Sequence, residues 1–315
     1  MKKKFLIAFS VSIVCFILLY STVFNFIFTE KSLATLPNNP DGTNKEKEMG
    51  NKPKVKNEIL FLLLGVDAED VKESKGKRTD TMMLTKVNFD TGDVNILSIP
   101  RDTRVLVNGN PDKINHAHVY GGVESTMDTV RKFLGIDIDY YVKIDYKIVK
   151  EVVDDIGGVK IDVPFDMKYK EYNPTVPPLD INIEKGEQVL DGKNAHDFLR
   201  FRNNNAKTVG YKDGDIGRIK AQQYFMKELI KQTLKVKNLV KLPKLMETYF
   251  SNVETNIPLG TMLKAAASAR KINTENIKTD IIPGTDEYIK GISYRVYDRE
   301  KTDLLVDEIF SDYIE

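Results

Sequence analysis

The amino-acid sequence predicts an α/β fold, an α-β-α sandwich around a central mixed sheet, preceded by one N-terminal transmembrane helix. Three observations predict it. Residues 5–29 form an apolar run without a charge; from residue 58 onward, short and intensely apolar strand-like runs alternate with segments of helical periodicity; and no repeat or shift in composition divides that stretch.

The apolar run comes first in the chain, preceded by Lys2, Lys3 and Lys4 and followed by Glu30 and Lys31. Rising ~1.5 Å per residue, a helix of that length crosses a hydrocarbon core of ~30 Å with some tilt. The lysines hold residues 1–4 as a cytoplasmic tail, so the rest of the chain is expected on the outer face of a cell membrane. A cleaved signal peptide is the alternative, with Ser32-Leu33-Ala34 as a loose cleavage site, but such signals carry an apolar region of only ~7–15 residues. Cys15, the one cysteine, lies in this run. The exported part therefore has no disulfide and rests on an ordinary hydrophobic core. Residues 30–57 are polar and interrupted by Pro37, Pro40, Gly42, Gly50 and Pro53, as expected of a flexible extracytoplasmic linker.

Residues 58–315 are then one domain. Ile59 to Leu64 reads as a strand buried on both faces, ending in Gly65-Val66-Asp67. Met82 to Asn88 and Val94 to Ile99 flank Asp90-Thr91-Gly92-Asp93, a hairpin signal with glycine available for positive φ. Glu124 to Leu134 has helical spacing and Tyr140 to Asp145 is strand-like. Ile148, Val149, Val152, Val153 and Ile156 share a helical face that Gly157-Gly158 stops, and Val159 to Val163 is a strand. Helices follow around Ala195, Phe198 and Leu199 and from Asp215 onward, then around Val240 to Tyr249 and Leu259 to Lys271. Strands near Ile277 to Ile282 and Ile292 to Tyr297 and a last helix complete the chain. No chemistry-bearing motif lies beyond residue 235.

Charge narrows the function. The chain has 47 basic and 46 acidic residues. With the three N-terminal lysines set aside the balance is slightly negative, so no nucleic-acid partner is expected and any anion site must be local. Two constellations could form one. Arg78-Thr79-Asp80-Thr81 and Ser98-Ile99-Pro100-Arg101-Asp102-Thr103-Arg104 crowd charge at the ends of apolar strands, where α/β sheets bind ligands; surface ion pairs are the plainer explanation. Arg200-Phe201-Arg202 precedes Asp215-Ile216-Gly217-Arg218, and Gln222 follows Arg218 one helical turn later, near a helix N-terminus. Converging guanidiniums suit phosphate, to which each can donate two parallel hydrogen bonds. The carboxylates of Asp67 and Asp80 add oxygen ligands for Mg²⁺ or Mn²⁺, which together with the arginines would neutralise charge on a phosphoryl group in transfer.

Other chemistries are poorly supported. His116 and His118 lack a third zinc ligand nearby, Ser98 has neither a G-x-S-x-G context nor an evident histidine base, and there is no Walker-type phosphate loop.

At this point the chain resembles the LytR-CpsA-Psr family. The matching stretches run in that family's order: Leu62 to Asp67 (LLLGVD), Arg78 to Leu84 (RTDTMML), Leu97 to Val105 (LSIPRDTRV), Lys113 to Asn115 (KIN), Gly121-Gly122, Ile136 to Val142 (IDIDYYV), Ile156 to Val163 (IGGVKIDV), Gly186 to Gly192 (GEQVLDG), Arg200 to Arg202 (RFR) and Asp215 to Gln223 (DIGRIKAQQ). They define a motif-bearing core over residues 58–235.

The resemblance implies a phosphotransferase that moves an anionic glycopolymer, such as wall teichoic acid or capsular polysaccharide, from an undecaprenyl pyrophosphate carrier to a peptidoglycan hydroxyl. It also implies that Asp67 and Asp80 are the Mg²⁺-associated carboxylates, that Arg78, Arg101, Lys113, Arg200, Arg202, Arg218 and Gln222 bind the diphosphate, and that the prenyl chain enters an apolar channel between sheet and helices. Asp80 or Asp67 would accept the proton of the attacking hydroxyl. The sequence departs from the family pattern at Ala221, where relatives often carry arginine, and at Asn203-Asn204-Asn205, where a histidine-acid pair is common. A polyprenyl pyrophosphate phosphatase and a non-catalytic lipid-binding regulator are the competing readings.

Overall fold

In this computed structural model, residues 57–66, 74, 76–173, 179–235, 238, 248 and 252–314 are described. The predicted membrane helix, the linker up to residue 56, Asp67 and most of the helix expected at 240–249 lie outside them. Among the described residues no helix is long and apolar enough to cross a membrane. The described residues all belong to one compact unit, Lys52–Glu315.

Its centre is a six-stranded sheet. Strand β1 (Glu58–Val66) pairs antiparallel with β2 (Thr79–Asn88), which pairs antiparallel with β3 (Val94–Ser98). The predicted hairpin is the β2–β3 turn. Gly92 there has φ +77°, and a Cβ on it would stand 2.1 Å from the Lys271 carbonyl oxygen, so both conformation and space require glycine. On the other side of β1, β6 (Tyr140–Ile144) runs parallel and carries the short antiparallel β11 (Glu254–Thr255); β12 (Lys278–Ile281) lies parallel to β3 at the far edge. The sheet is mixed, as predicted, with the strand order β11-β6-β1-β2-β3-β12.

Alternation along β1 builds the layers. Leu60, Leu62 and Leu64 face one side, where they pack with Met82, Leu84 and Leu97 against helix α1 (His116–Leu134) and the C-terminal α6 (Arg299–Phe310). Each fully buried leucine contributes ~1.5–3 kcal/mol. The opposite face carries Ile59, Phe61 and Leu63 against α4 (Asp215–Thr233) and α5 (Leu259–Ser268). Helix α1 begins at His116, earlier than the periodicity indicates, because Gly121 and Gly122 break the helical pattern with non-helical dihedrals and kink it.

A second core lies beside the sheet. Helices α2 (Tyr146–Ile156) and α3 (Gly192–Arg200) enclose it with β7 (Val159–Val163), β8 (Met167–Lys170), β9 (Asp180–Ile183) and β10 (Gly186–Leu190) around Val153, Phe198, Phe201 and Phe225. Two further hairpins close the fold: β4 (Arg104–Val107) with β5 (Asn110–Lys113), and β13 (Gly284–Ile289) with β14 (Ile292–Tyr297).

Candidate functional site

The antiparallel β2–β3 pairing brings the start of one strand to the end of the other. Asp80, second in β2, therefore meets Arg101, three residues beyond β3: Arg101 Nη1 donates to Asp80 Oδ1 at 2.6 Å. A tight turn presents Arg101, with the Thr103 amide and hydroxyl both donating to the Pro100 carbonyl, at 2.9 and 2.6 Å. The turn is tied down from afar, because the Arg295 amide of β14 donates to the Asp102 carbonyl at 2.9 Å.

Arg200 and Arg202 reach the same place from the end of α3. Between them Phe201 is buried and packs near Phe165 and Tyr211, which leaves its two neighbours to face the opening. Helix α4 supplies Arg218 and Gln222, one turn apart as the spacing predicts. Its entry is tight: Gly214 has φ +56°, and a Cβ on Gly217 would lie 2.5 Å from that of Tyr211.

These side chains line one cleft of about 640 Å³, with Tyr146, Tyr169, Glu171 and the segment Asn203 to Lys207 as its outer wall. Five basic and two acidic side chains line it, so the cleft attracts anions. Of the predicted site residues, the cleft unites Asp80, Arg101, Arg200, Arg202, Arg218 and Gln222. Lys113 stands behind it, bound to the Asp102 carboxylate at 2.8 Å and set over the Tyr294 ring. Arg78 is exposed ahead of β2 and does not line the cleft. Asp67 lies outside the described residues; the residue before it in the chain, Val66, is paired with Thr79, next to Asp80.

The electrostatics of the arginines differ. Burial works against the charge on Arg101, but Asp80, followed by Asp215 and Asp102, more than offsets this and raises its pKa. Arg218, 6% exposed, is held below its ordinary value chiefly by burial, which Asp215 opposes and to which repulsion from Arg101 and Arg202 adds. Asp215 Oδ1 stands 2.6 Å from Arg218 Nη2 and 3.9 Å from Arg202 Nη2. Its carboxylate thus occupies the arginines and the positive end of α4. The buried Nε atoms of Arg101 and Arg218 have no hydrogen-bond partner among the described residues. A bound anion would satisfy such donors.

Beside the cleft, between the sheet and helices α2 and α4, lies an apolar cavity of about 90 Å³ lined by Leu63, Met83, Val149, Phe225, Met226 and Leu229. Tyr146, Leu199 and Gln222 line both spaces. The arrangement is suited to a ligand that is anionic at one end and apolar at the other.

Asp215 and Asp102 stand inside motifs read from the sequence, yet only the fold reveals them as the partners of arginines. Tyr146 comes from α2, and Tyr169 and Glu171 from the end of β8, with no local signal. The three asparagines divide their work. Asn204 Oδ1 accepts from the Thr208 and Val209 amides, and the Asn205 amide bonds both to the Lys170 amide and to its carbonyl, so these two shape the loop and pin it to β8. Neither His116 nor His118 lines the cleft: His118 Nδ1 lies 2.8 Å from the Lys77 carbonyl and His116 Nδ1 2.9 Å from Asp112. Ser98 receives a hydrogen bond from Gln223.

The polyisoprenyl-teichoic acid–peptidoglycan teichoic acid transferase TagU of Bacillus subtilis (strain 168) is 29% identical over 297 residues, covering 93% of this chain and 91% of TagU. The crystal structure of B. subtilis TagV superposes with a TM-score of 0.66 at 32% identity, covering 81% of this chain and 98% of that one. Protein gbs0355 from Streptococcus agalactiae gives a TM-score of 0.70 at 25% identity, over 81% of this chain and 87% of its own. The profile of the LytR_cpsA_psr family matches residues 23–310, and the chain belongs to that family.

Proposed function

We propose that this protein is a phosphotransferase that attaches a polyisoprenyl-linked teichoic acid, or a related anionic glycopolymer, to peptidoglycan. The observation that carries the reading is the junction of an arginine-rich cleft with an apolar cavity at Tyr146, Leu199 and Gln222. A lipid diphosphate has the same division, and TagU, a teichoic acid transferase by name, shares the chain almost end to end.

In this reading Arg101, Arg200, Arg202 and Arg218 bind the diphosphate and stabilise the charge that builds on its oxygens during transfer. The sugar hydroxyl attacks the polymer-side phosphorus; a new P–O bond forms, the bond to the bridging oxygen breaks, and polyisoprenyl phosphate leaves. The hydroxyl proton passes to a carboxylate, for which Asp80 stands in the cleft beside Arg101.

Asp80 also fits a divalent cation. It makes a single hydrogen bond among the described residues, through Oδ1, and Mg²⁺ commonly takes one or two carboxylates together with phosphate oxygens. Asp80 with Asp67 would hold Mg²⁺ or Mn²⁺, which when bound would neutralise phosphate charge. Among the described residues no group of three or more His, Cys, Asp or Glu could hold a metal, so the donor's phosphates would have to complete the shell.

The membrane helix at residues 5–29 belongs to the same reading: it keeps the domain on the outer face of the membrane, within reach of a donor that is itself a lipid.

The test is a transfer assay with full-length protein in detergent, a lipid-linked teichoic acid, Mg²⁺ and peptidoglycan fragments, comparing wild type with Asp80→Ala and Arg101→Ala. Polymer transfer that both substitutions abolish is expected. Phosphate release without transfer would make the protein a phosphatase instead, and lipid binding without turnover would remove it from the enzymes.

A further inference from the structure

We infer that Tyr146, braced by His196, is a positioning residue that fixes the Arg200 guanidinium where the charged cleft meets the apolar cavity. The inference rests on the transferase reading for its role in catalysis, although the contact can be tested without it.

Position follows from two helices. The Asp145 carboxylate accepts from the Ile148 amide at 2.9 Å, caps α2 and thereby sets Tyr146 as its first residue, at the rim of the sheet. On α3, His196 and Arg200 are four residues apart and share one face. Both touch the same ring. His196 meets Tyr146 edge-on, with centroids 4.8 Å apart and planes at 88°, while Arg200 Cζ lies 5.5 Å from the Tyr146 centroid. His196 is itself held, since its Nδ1 is 3.0 Å from Asp197 Oδ1 and the other oxygen of that buried carboxylate takes Lys193 Nζ at 2.7 Å. Contact therefore runs from Lys193 through Asp197, His196 and Tyr146 to Arg200.

The kind of contact matters as much as its place. An aromatic face attracts a guanidinium through its quadrupole without neutralising its charge. It also restricts a side chain of high rotamer entropy before ligand arrives. Tyr146 lines both the cleft and the apolar cavity. A side chain there can align the charged end of a lipid diphosphate while bounding its apolar end.

The experiment uses the full chain in detergent micelles and two probes, inorganic pyrophosphate and geranyl pyrophosphate, titrated by calorimetry, alongside donor kinetics. Tyr146→Leu is expected to weaken inorganic pyrophosphate about 3–30-fold, the range of a cation–π contact, whereas Tyr146→Phe stays within about threefold. His196→Ala is expected to lose about 2–5-fold in the same direction, and less than that when added to Tyr146→Leu, because the two act on one contact. Should Tyr146→Leu fold poorly, the His196→Ala titration decides alone.

If inorganic pyrophosphate binds Tyr146→Leu and His196→Ala as it binds wild type, and only the geranyl increment falls, Tyr146 is a wall of the apolar cavity and the inference is overturned. Wild-type protein that binds neither probe overturns it as well. Pyrophosphate binding with the expected order of variants, but no polymer transfer by wild type, would uphold the contact and count against the transferase.

Discussion

On the proposed reading Asp215 pairs with arginines that a ligand phosphate would engage, so replacing its charge should separate stability from binding. In Asp215→Asn the shape is kept and the negative charge removed. The carboxylate stands 2.6 Å from Arg218, whose side chain is 7% exposed, and 3.9 Å from Arg202, which is half exposed. At an effective dielectric of ~20, charges ~4 Å apart attract by ~4 kcal/mol. The exposed Arg202 adds little, and the contact with Arg218 is an ion pair without hydrogen-bond geometry, so the loss is the screened attraction alone. A net loss of ~2–3 kcal/mol remains, smaller than the ~3–5 kcal/mol of a fully buried broken pair. In a domain of this size that lowers the melting midpoint by about 4–12 °C.

With inorganic pyrophosphate the sign reverses. The arginines no longer surrender a carboxylate when the anion binds, so the variant should bind it several-fold more tightly and gain more midpoint per added ligand than wild type. Circular dichroism melts across a pyrophosphate series measure both effects. A variant as stable as wild type, or one that binds pyrophosphate more weakly, would refute the reasoning, and the second result would make Asp215 an orienting group.

Three further outcomes are expected. His118 is held below its ordinary pKa chiefly by burial, with Lys143 adding to this and the Lys77 carbonyl opposing it. The unfolded chain therefore takes up the proton more readily, so stability is full above about pH 6.5 and is lost as pH falls through the depressed value, at no more than ~1.4 kcal/mol per pH unit. In His118→Gln, melts between pH 7 and 5 should show a shallower decline. Gly217→Ala drives a methyl against the Tyr211 side chain and should cost ~1–3 kcal/mol in chemical denaturation. Asn205→Ala removes both side-chain bonds to Lys170, about 1 kcal/mol of local support; limited trypsin digestion should then cut faster at Lys207, with the global midpoint almost unmoved.

How far the fold was legible depended on whether a segment's pattern was its own. The β1–β2–β3 meander declared itself because its strands are short, intensely apolar runs and Gly92 marks the β2–β3 turn. Helix α2 ended where Gly157 adopts φ +83°. By contrast, β13 was invisible: its residues are exposed or half-buried, and it is a strand only because β14 pairs with it. The arginines of the cleft were legible because three of them are concentrated in two short motifs. Tyr146, Glu171 and the ion pair made by Asp215 were not, since each depends on which distant element the fold sets opposite it. The asparagine run shows the reverse hazard: polar residues in a suggestive place, two of which serve the backbone.

The tie between β14 and the Asp102 carbonyl bears on the order in which the molecule is completed. Arg101 is presented by a turn whose far anchor is encoded almost two hundred residues later, and β12, pairing with β3 from a similar distance, closes the sheet edge beside it. Long-range pairings of this kind form late, because the intervening chain must first be ordered. As the polypeptide emerges from its N-terminus, Asp80 and the arginines of α3 and α4 are all available before the turn carrying Arg101 can be fixed. A chain truncated short of β14 would therefore carry nearly every recognisable motif and still lack the anchor of the turn that presents Arg101.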